Sequence, residues 1–220
     1  MSSTNSLDSY CGVTADNKDE MVKEIAKVKS EKMALLKSVV AMMKKRGIQF
    51  WLDSGTLLGA YRNGKMIPHD FDIDLSVFGE DDLNAAHEVL EAIKPDNYHV
   101  RKGHHNPDSV KVCKKIEIFK EVNGGYNCTH PSNVSMDIIM YDYADVNRSL
   151  IKTEYFGFNL EKNRYKPEWL FPLGKLKFED MELPVPNDPE AWLSEQYGYL
   201  GPDCYYDETV HKYRKRPAAW

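Results

Sequence analysis

A chain of 220 residues is most simply one domain, long enough to bury a self-sufficient core. Its 29 Lys and Arg against 34 Asp and Glu leave a formal charge of −5, which excludes a broad electrostatic surface for nucleic acid. No signal peptide and no apolar run of spanning length is visible. The polypeptide as given therefore reads as cytoplasmic without a membrane span, or as lumenal (Golgi/ER) if a targeting segment is missing.

Residues 1–18 lack apolar periodicity and are rich in Ser, Thr, Asn and Asp, which reads as a flexible lead-in to one domain over 19–220. Met21, Val22, Ile25, Val28, Met33, Leu36, Val39, Val40 and Met43 then recur at helical spacing, and Gly47 follows a basic last turn as a C-cap does. Residues 48–52 read as a strand, 55–62 as a turn and helix, and 71–77 as a strand carrying carboxylates. A helix is expected over 81–93, with Leu83, Ala86, Val89, Leu90 and Ile93 inward. Strands are expected over 98–102, 110–112, 116–122 and 134–141, with a hairpin loop at Gly124 to Asn127. Residues 170–174 and 176–183 suggest a hairpin, and 189–197 a short helix beginning after Asp188. The sum is an α+β chain with a mixed sheet backed by helices and an N-terminal helix.

Cys11, Cys113, Cys128 and Cys204 show no paired spacing, so the expectation is reduced thiols and no Cys-x-x-Cys zinc site. Cys128 and His130, with His104 and His105, are what a zinc cluster would draw on, but scattered Cys and His more often pack or face water. The acceptor triplets beginning at Asn127, Asn133 and Asn147 matter only in a lumenal protein. The basic run from Lys212 to Arg216 reads as a solvated face.

The chemistry concentrates in Trp51-Leu52-Asp53-Ser54-Gly55-Thr56-Leu57-Leu58-Gly59-Ala60-Tyr61-Arg62 and in Pro68-His69-Asp70-Phe71-Asp72-Ile73-Asp74-Leu75-Ser76-Val77. In a strand, alternation puts Asp70, Asp72 and Asp74 on one face and Phe71, Ile73, Leu75 and Val77 on the other. Carboxylates in an apolar strand need a cation, and hard oxygen ligands suit Mg²⁺ or Mn²⁺. Phosphate chemistry follows. Ser54, Gly55 and Thr56 offer a turn whose backbone N–H groups approach a phosphate at a helix N-terminus, and Arg62 offers a fork for its oxygens. A calcium loop fits less well, because it needs Gly and Glu where this chain has Leu75 and Asp81.

These two segments, with Phe171-Pro172-Leu173 and Tyr197-Gly198 more loosely, resemble the LicD/fukutin family of the nucleotidyltransferase superfamily. His69 departs from the pattern, since the family commonly has Trp before the first Asp. The resemblance implies a nucleotidyltransferase-like mixed sheet and a metal-dependent phosphotransferase. It would move a phospho-alcohol, phosphocholine or phosphoribitol, from a nucleotide-activated, CDP-linked donor to a glycan hydroxyl. It also implies a later strand carboxylate, for which Asp137 is the candidate and Glu117 the runner-up, with Asp142 capping or solvated. The expected catalytic set is Asp72, Asp74 and Asp137, and the expected metal set adds Asp70. Two alternatives stand beside it: a glycosyltransferase using Asp-x-Asp on a nucleotide sugar, and a non-catalytic nucleotide- or metal-binding regulator.

Overall fold

The computed structural model describes residues 15–103, 108–116, 128, 130–154 and 164–217. The expectations for the lead-in up to residue 14, His104 and His105, the strand residues 117–122 with Glu117, and the 124–127 loop lie outside the described residues. Chain order is α1 (Ala15–Arg46), β1 (Phe50–Leu52), α2 (Ser54–Asn63), β2 (Asp74–Phe78), α3 (Glu80–Ile93), β3 (Tyr98–Lys102), β4 (Ser109–Lys114) and β5 (Ser135–Tyr143). There follow β6 (Ile151–Lys152), β7 (Arg164–Tyr165), α4 (Pro167–Leu170), β8 (Gly174–Phe178), β9 (Met181–Val185), α5 (Pro189–Tyr197), β10 (Cys204–Asp207) and β11 (Lys212–Lys215).

The central sheet runs β1-β2-β5-β4-β3, with β6 on β5 and β7 on β6. The β2–β5 pair is parallel and its neighbours antiparallel, which makes the sheet mixed as expected. Apolar periodicity in α1 seats Ile25, Leu35, Leu36, Val39, Val40 and Met43 in the core, and Gly47 at φ 71 closes the helix. α1 packs on α3 and on β5, while α2 packs on β2 and α5.

Three expectations are corrected. The regular strand begins at Asp74, not at residue 71: Asp70 N donates to Ile67 O at 3.0 Å, so the chain is still turning there, and cross-strand pairing starts only where Ile73 meets β5. Asp70 and Asp72 therefore ride on the approach to the strand instead of sharing its face with Asp74. The late hairpin is β8–β9, reversing at Glu179 with φ 54, and residues 167–170 form a helical turn begun by Pro167. Finally, Cys113 and Cys128 form a disulfide, 15 residues apart. Sequence spacing carried no trace of it because the two sulfurs meet through the fold, and Cys128 is thereby removed from any zinc cluster. The basic run 212–216 lies on the β10–β11 hairpin, where Arg214 pairs with Asp207 at 2.6 Å and Lys212 with Glu195 at 3.6 Å.

Candidate active site

Strand register builds the site. Across β2–β5, Asp74 stands opposite Asp137, and across β5–β4, Asp137 stands opposite Lys111. Residues in register share a sheet face, so one row presents Asp74, Asp137 and Lys111 in succession. Asp72 joins them from the turn: carboxylate oxygens of Asp72, Asp74 and Asp137 all lie within 4.8 Å of one another. Asp74 and Asp137 are buried, and Asp72 keeps its side chain 14% exposed. Lys111 forms an ion pair with Asp137 and reaches Asp72 at 3.6 Å.

The small-residue turn has a different geometry from the expected phosphate cradle. Asp53 caps α2, accepting from Ser54 N at 2.8 Å, from Trp192 Nε1 of α5 at 3.0 Å and from Ser76 Oγ of β2 at 2.7 Å. Ser54 sits at φ 49 and its Oγ accepts from Gln196 Nε2 at 3.0 Å. A Cβ at Gly55 would overlap the Asp70 carboxylate, so Gly55 is what lets that carboxylate lie against the first turn of α2. Thr56 Oγ1 accepts from Asp74 N at 2.9 Å and fixes the start of β2. The space at this helix N-terminus is thus taken by the protein's own Asp70. Arg62 donates from Nε to Leu200 O at 2.7 Å and from Nη2 to Gly201 O at 3.0 Å, tying α2 to the segment after α5.

Burial dominates the electrostatics. It pushes the Asp72 carboxyl up to about 6, against the pull of Lys111. Asp74 rises well above the carboxylate range, through burial first and then the charges of Asp72, Asp70, Asp137 and Asp53. Asp70 rises likewise through burial and the charge of Asp72. Lys111 stays above its ordinary value because Asp137 and Asp72 outweigh its desolvation. A second lysine, Lys32 of α1, is fully buried with no hydrogen-bond partner on Nζ, and desolvation brings it down to about 8 although Asp72 and Asp70 hold it up. Asp70 Oδ2 is also buried without a partner. Asp72 and Asp74, which burial drives toward protonation, converge with Asp137 as hard oxygen donors, a set that fits a divalent cation such as Mg²⁺ or Mn²⁺.

The structure thus brings Asp72, Asp74 and Asp137 together, sets Asp70 beside them against Gly55, and gives Ser54, Thr56 and Arg62 internal partners. Sequence reasoning passed over Lys111, although it shows the same signal as Asp137, a lone charge inside an apolar strand. It also passed over Lys32 in the apolar stripe of α1 and the buried cap Asp53. His69 is buried at the entrance to the turn.

The family profile described as "LicD/FKTN/FKRP, nucleotidyltransferase domain" matches residues 47–188. Ribitol 5-phosphate transferase FKRP of Mus musculus is 46% identical over 161 residues, covering 73% of this chain and 30% of that protein. Ribitol-5-phosphate transferase FKTN of Homo sapiens is 43% identical over 183 residues, 82% of this chain and 35% of that protein. An uncharacterized protein of Rickettsia typhi is 31% identical over 176 residues, 76% of this chain and 47% of its own length. The chain thus spans between about a third and a half of the relatives it matches.

Proposed function

Because this chain belongs to the LicD/FKTN/FKRP family, we propose that it is a metal-dependent phosphotransferase that moves a phospho-alcohol from a nucleotide-activated donor to a glycan hydroxyl. Phosphoribitol is the favoured group, by the names of the mouse and human relatives, and a CDP-linked donor is its natural activated form. The observation that carries this reading is the convergence of Asp72, Asp74 and Asp137 on one point.

Those three carboxylates are the groups that would hold the cation. Bound there, Mg²⁺ or Mn²⁺ would neutralise charge on the donor's diphosphate and on the departing nucleoside monophosphate. The residues do the positioning. Lys111 grips Asp137 and fixes its orientation, leaving that carboxylate to align the attacking hydroxyl. Thr56 fixes the backbone of Asp74, and the Asp53 cap fixes the turn that carries Thr56. Ser54 and Gly55 shape the pocket through Gln196 and Asp70, and Arg62 orders its outer wall. Acceleration comes from positioning and electrostatics, with no covalent intermediate on the protein.

The disulfide favours an oxidising compartment, and hence a lumenal setting over a cytoplasmic one. No helix among the described residues is long and apolar enough to cross a membrane. The test is product analysis with CDP-ribitol, CDP-choline, GDP-mannose and UDP-sugar donors in Mg²⁺ or Mn²⁺ and a hydroxyl-bearing glycan. The expected outcome is a phosphodiester product with release of nucleoside monophosphate. A glycoside with release of nucleoside diphosphate would show an Asp-x-Asp glycosyltransferase instead, and tight donor binding with no turnover a regulator.

A further inference from the structure

A buried lysine that feels the charges of the site lies outside the matched residues 47–188. α1 precedes residues 47–188, yet it buries Lys32 close enough to Asp72 and Asp70 for their charges to act on it. Lysine is a donor with three N–H groups and no acceptor, and an ammonium held out of water without a partner is costly. Among the described residues, Lys32 is the buried cation whose ammonium makes no hydrogen bond. Of the nearby carboxylates, Asp137 and Asp72 pair with Lys111, while Asp70, whose Oδ2 is likewise buried without a partner, lies against Gly55.

Polar contacts on either side of Lys32 hold the helix in place. Glu31, beside Lys32, accepts from Tyr98 Oη at 2.7 Å and from Lys114 Nζ at 2.8 Å, pinning α1 to β3 and β4. Lys29 pairs with Glu179 at 2.7 Å on the β8–β9 turn. The groups that usually take phosphate are not on offer, since the N-terminus of α2 faces Asp70 and the fork of Arg62 holds two carbonyls.

We propose that Lys32 is a phosphoryl-oxygen subsite: its preset ammonium donates to a non-bridging oxygen of the donor's diphosphate, beside the carboxylates that hold the cation. This rests on the functional reading above. A phosphoryl oxygen suits the place because it brings negative charge to a site where a bound cation would otherwise repel the lysine.

The test is calorimetric binding of Mn²⁺ alone and of inorganic pyrophosphate with Mn²⁺ to the wild type, Lys32→Met and Lys32→Arg. Methionine keeps the apolar stem and removes the charge, and melting curves establish that each variant is folded. Lys32→Met is expected to lose about tenfold or more in pyrophosphate affinity while its affinity for Mn²⁺ holds or rises. Lys32→Arg recovers part of the loss. Unchanged pyrophosphate binding in Lys32→Met, or a wild type that binds none, overturns the subsite. A parallel loss of Mn²⁺ and pyrophosphate also overturns it, by making Lys32 a strut for the carboxylates. If Lys32→Met behaves as expected while no donor is ever turned over, the subsite stands and the transferase reading fails.

Discussion

Asp74 and Asp137 stand directly opposite each other across the parallel β2–β5 pair, with Lys111 next to Asp137 in the same row. Two like charges in register oppose folding; the ion pair of Lys111 with Asp137 offsets this, and burial raises the Asp74 carboxyl well above the carboxylate range. The same strands that make the core thus fix the spacing of Asp74 and Asp137, while Asp72 joins them from the turn before β2.

Asp72→Asn and Asp74→Asn each remove one oxygen charge from the convergent set. Each is expected to lower Mn²⁺ affinity and transfer by about a hundredfold or more, while the metal-free melting temperature holds or rises because repulsion is relieved. Calorimetry and thermal melts on the same preparations check this; wild-type Mn²⁺ affinity in both variants removes the metal assignment.

Asp137→Asn keeps the strand shape and removes a carboxylate. Donor affinity should survive better than turnover, read by calorimetry beside single-turnover release of nucleoside monophosphate. Glu117→Gln serves as the control, and a loss confined to that variant transfers the role to Glu117.

Lys111→Met leaves Asp137 and Asp72 buried without their cation. Breaking a buried pair from one side costs about 3–5 kcal/mol. Urea unfolding should show a loss of that order in chelator and a smaller loss in millimolar Mn²⁺, since a ligand that binds the folded state restores stability. A loss that is identical in both buffers speaks against a cation between these carboxylates.

Gly55→Ala presses a methyl group into the Asp70 carboxylate, at about 1–3 kcal/mol by the usual cost of overpacking. In an Asp70→Ala background most of that cost should vanish, so the double-mutant cycle is non-additive. Additive effects would place the strain elsewhere.

Glu31 gives a pH dependence. Partial burial raises its carboxyl, yet Lys114 and Tyr98 together hold it below the ordinary 4.5. Its contribution is therefore present above pH 4.5 and lost as the pH falls through the lower folded value. Glu31→Gln should be less stable than wild type at pH 7 by about 1 kcal/mol or less, given its partial exposure, and the two should converge near pH 3. A gap that persists at pH 3 means the side chain acts by packing alone.

Period and punctuation made much of this molecule legible. The apolar stripe of α1, the caps at Asp188 and Gly47, the edges of β3 and α5 and the pairing of Asp72 with Asp74 are local, because a helix or strand repeats its exposure every few residues. Asp137 was legible for a related reason: a lone carboxylate flanked by Met136, Ile138 and Ile139 is costly unless something uses it. What only the tertiary structure decided are the partners. The alternation that put Asp70 on a shared face assumed a strand that does not begin until Asp74. Arg62 looked available and is bound to carbonyls near residue 200, while Cys113 finds Cys128 and Lys111 finds Asp137 across the fold. Local pattern determines which side chains leave water; which charge or sulfur each then meets is set by strand register and helix docking between segments far apart in the chain, and no local period encodes that.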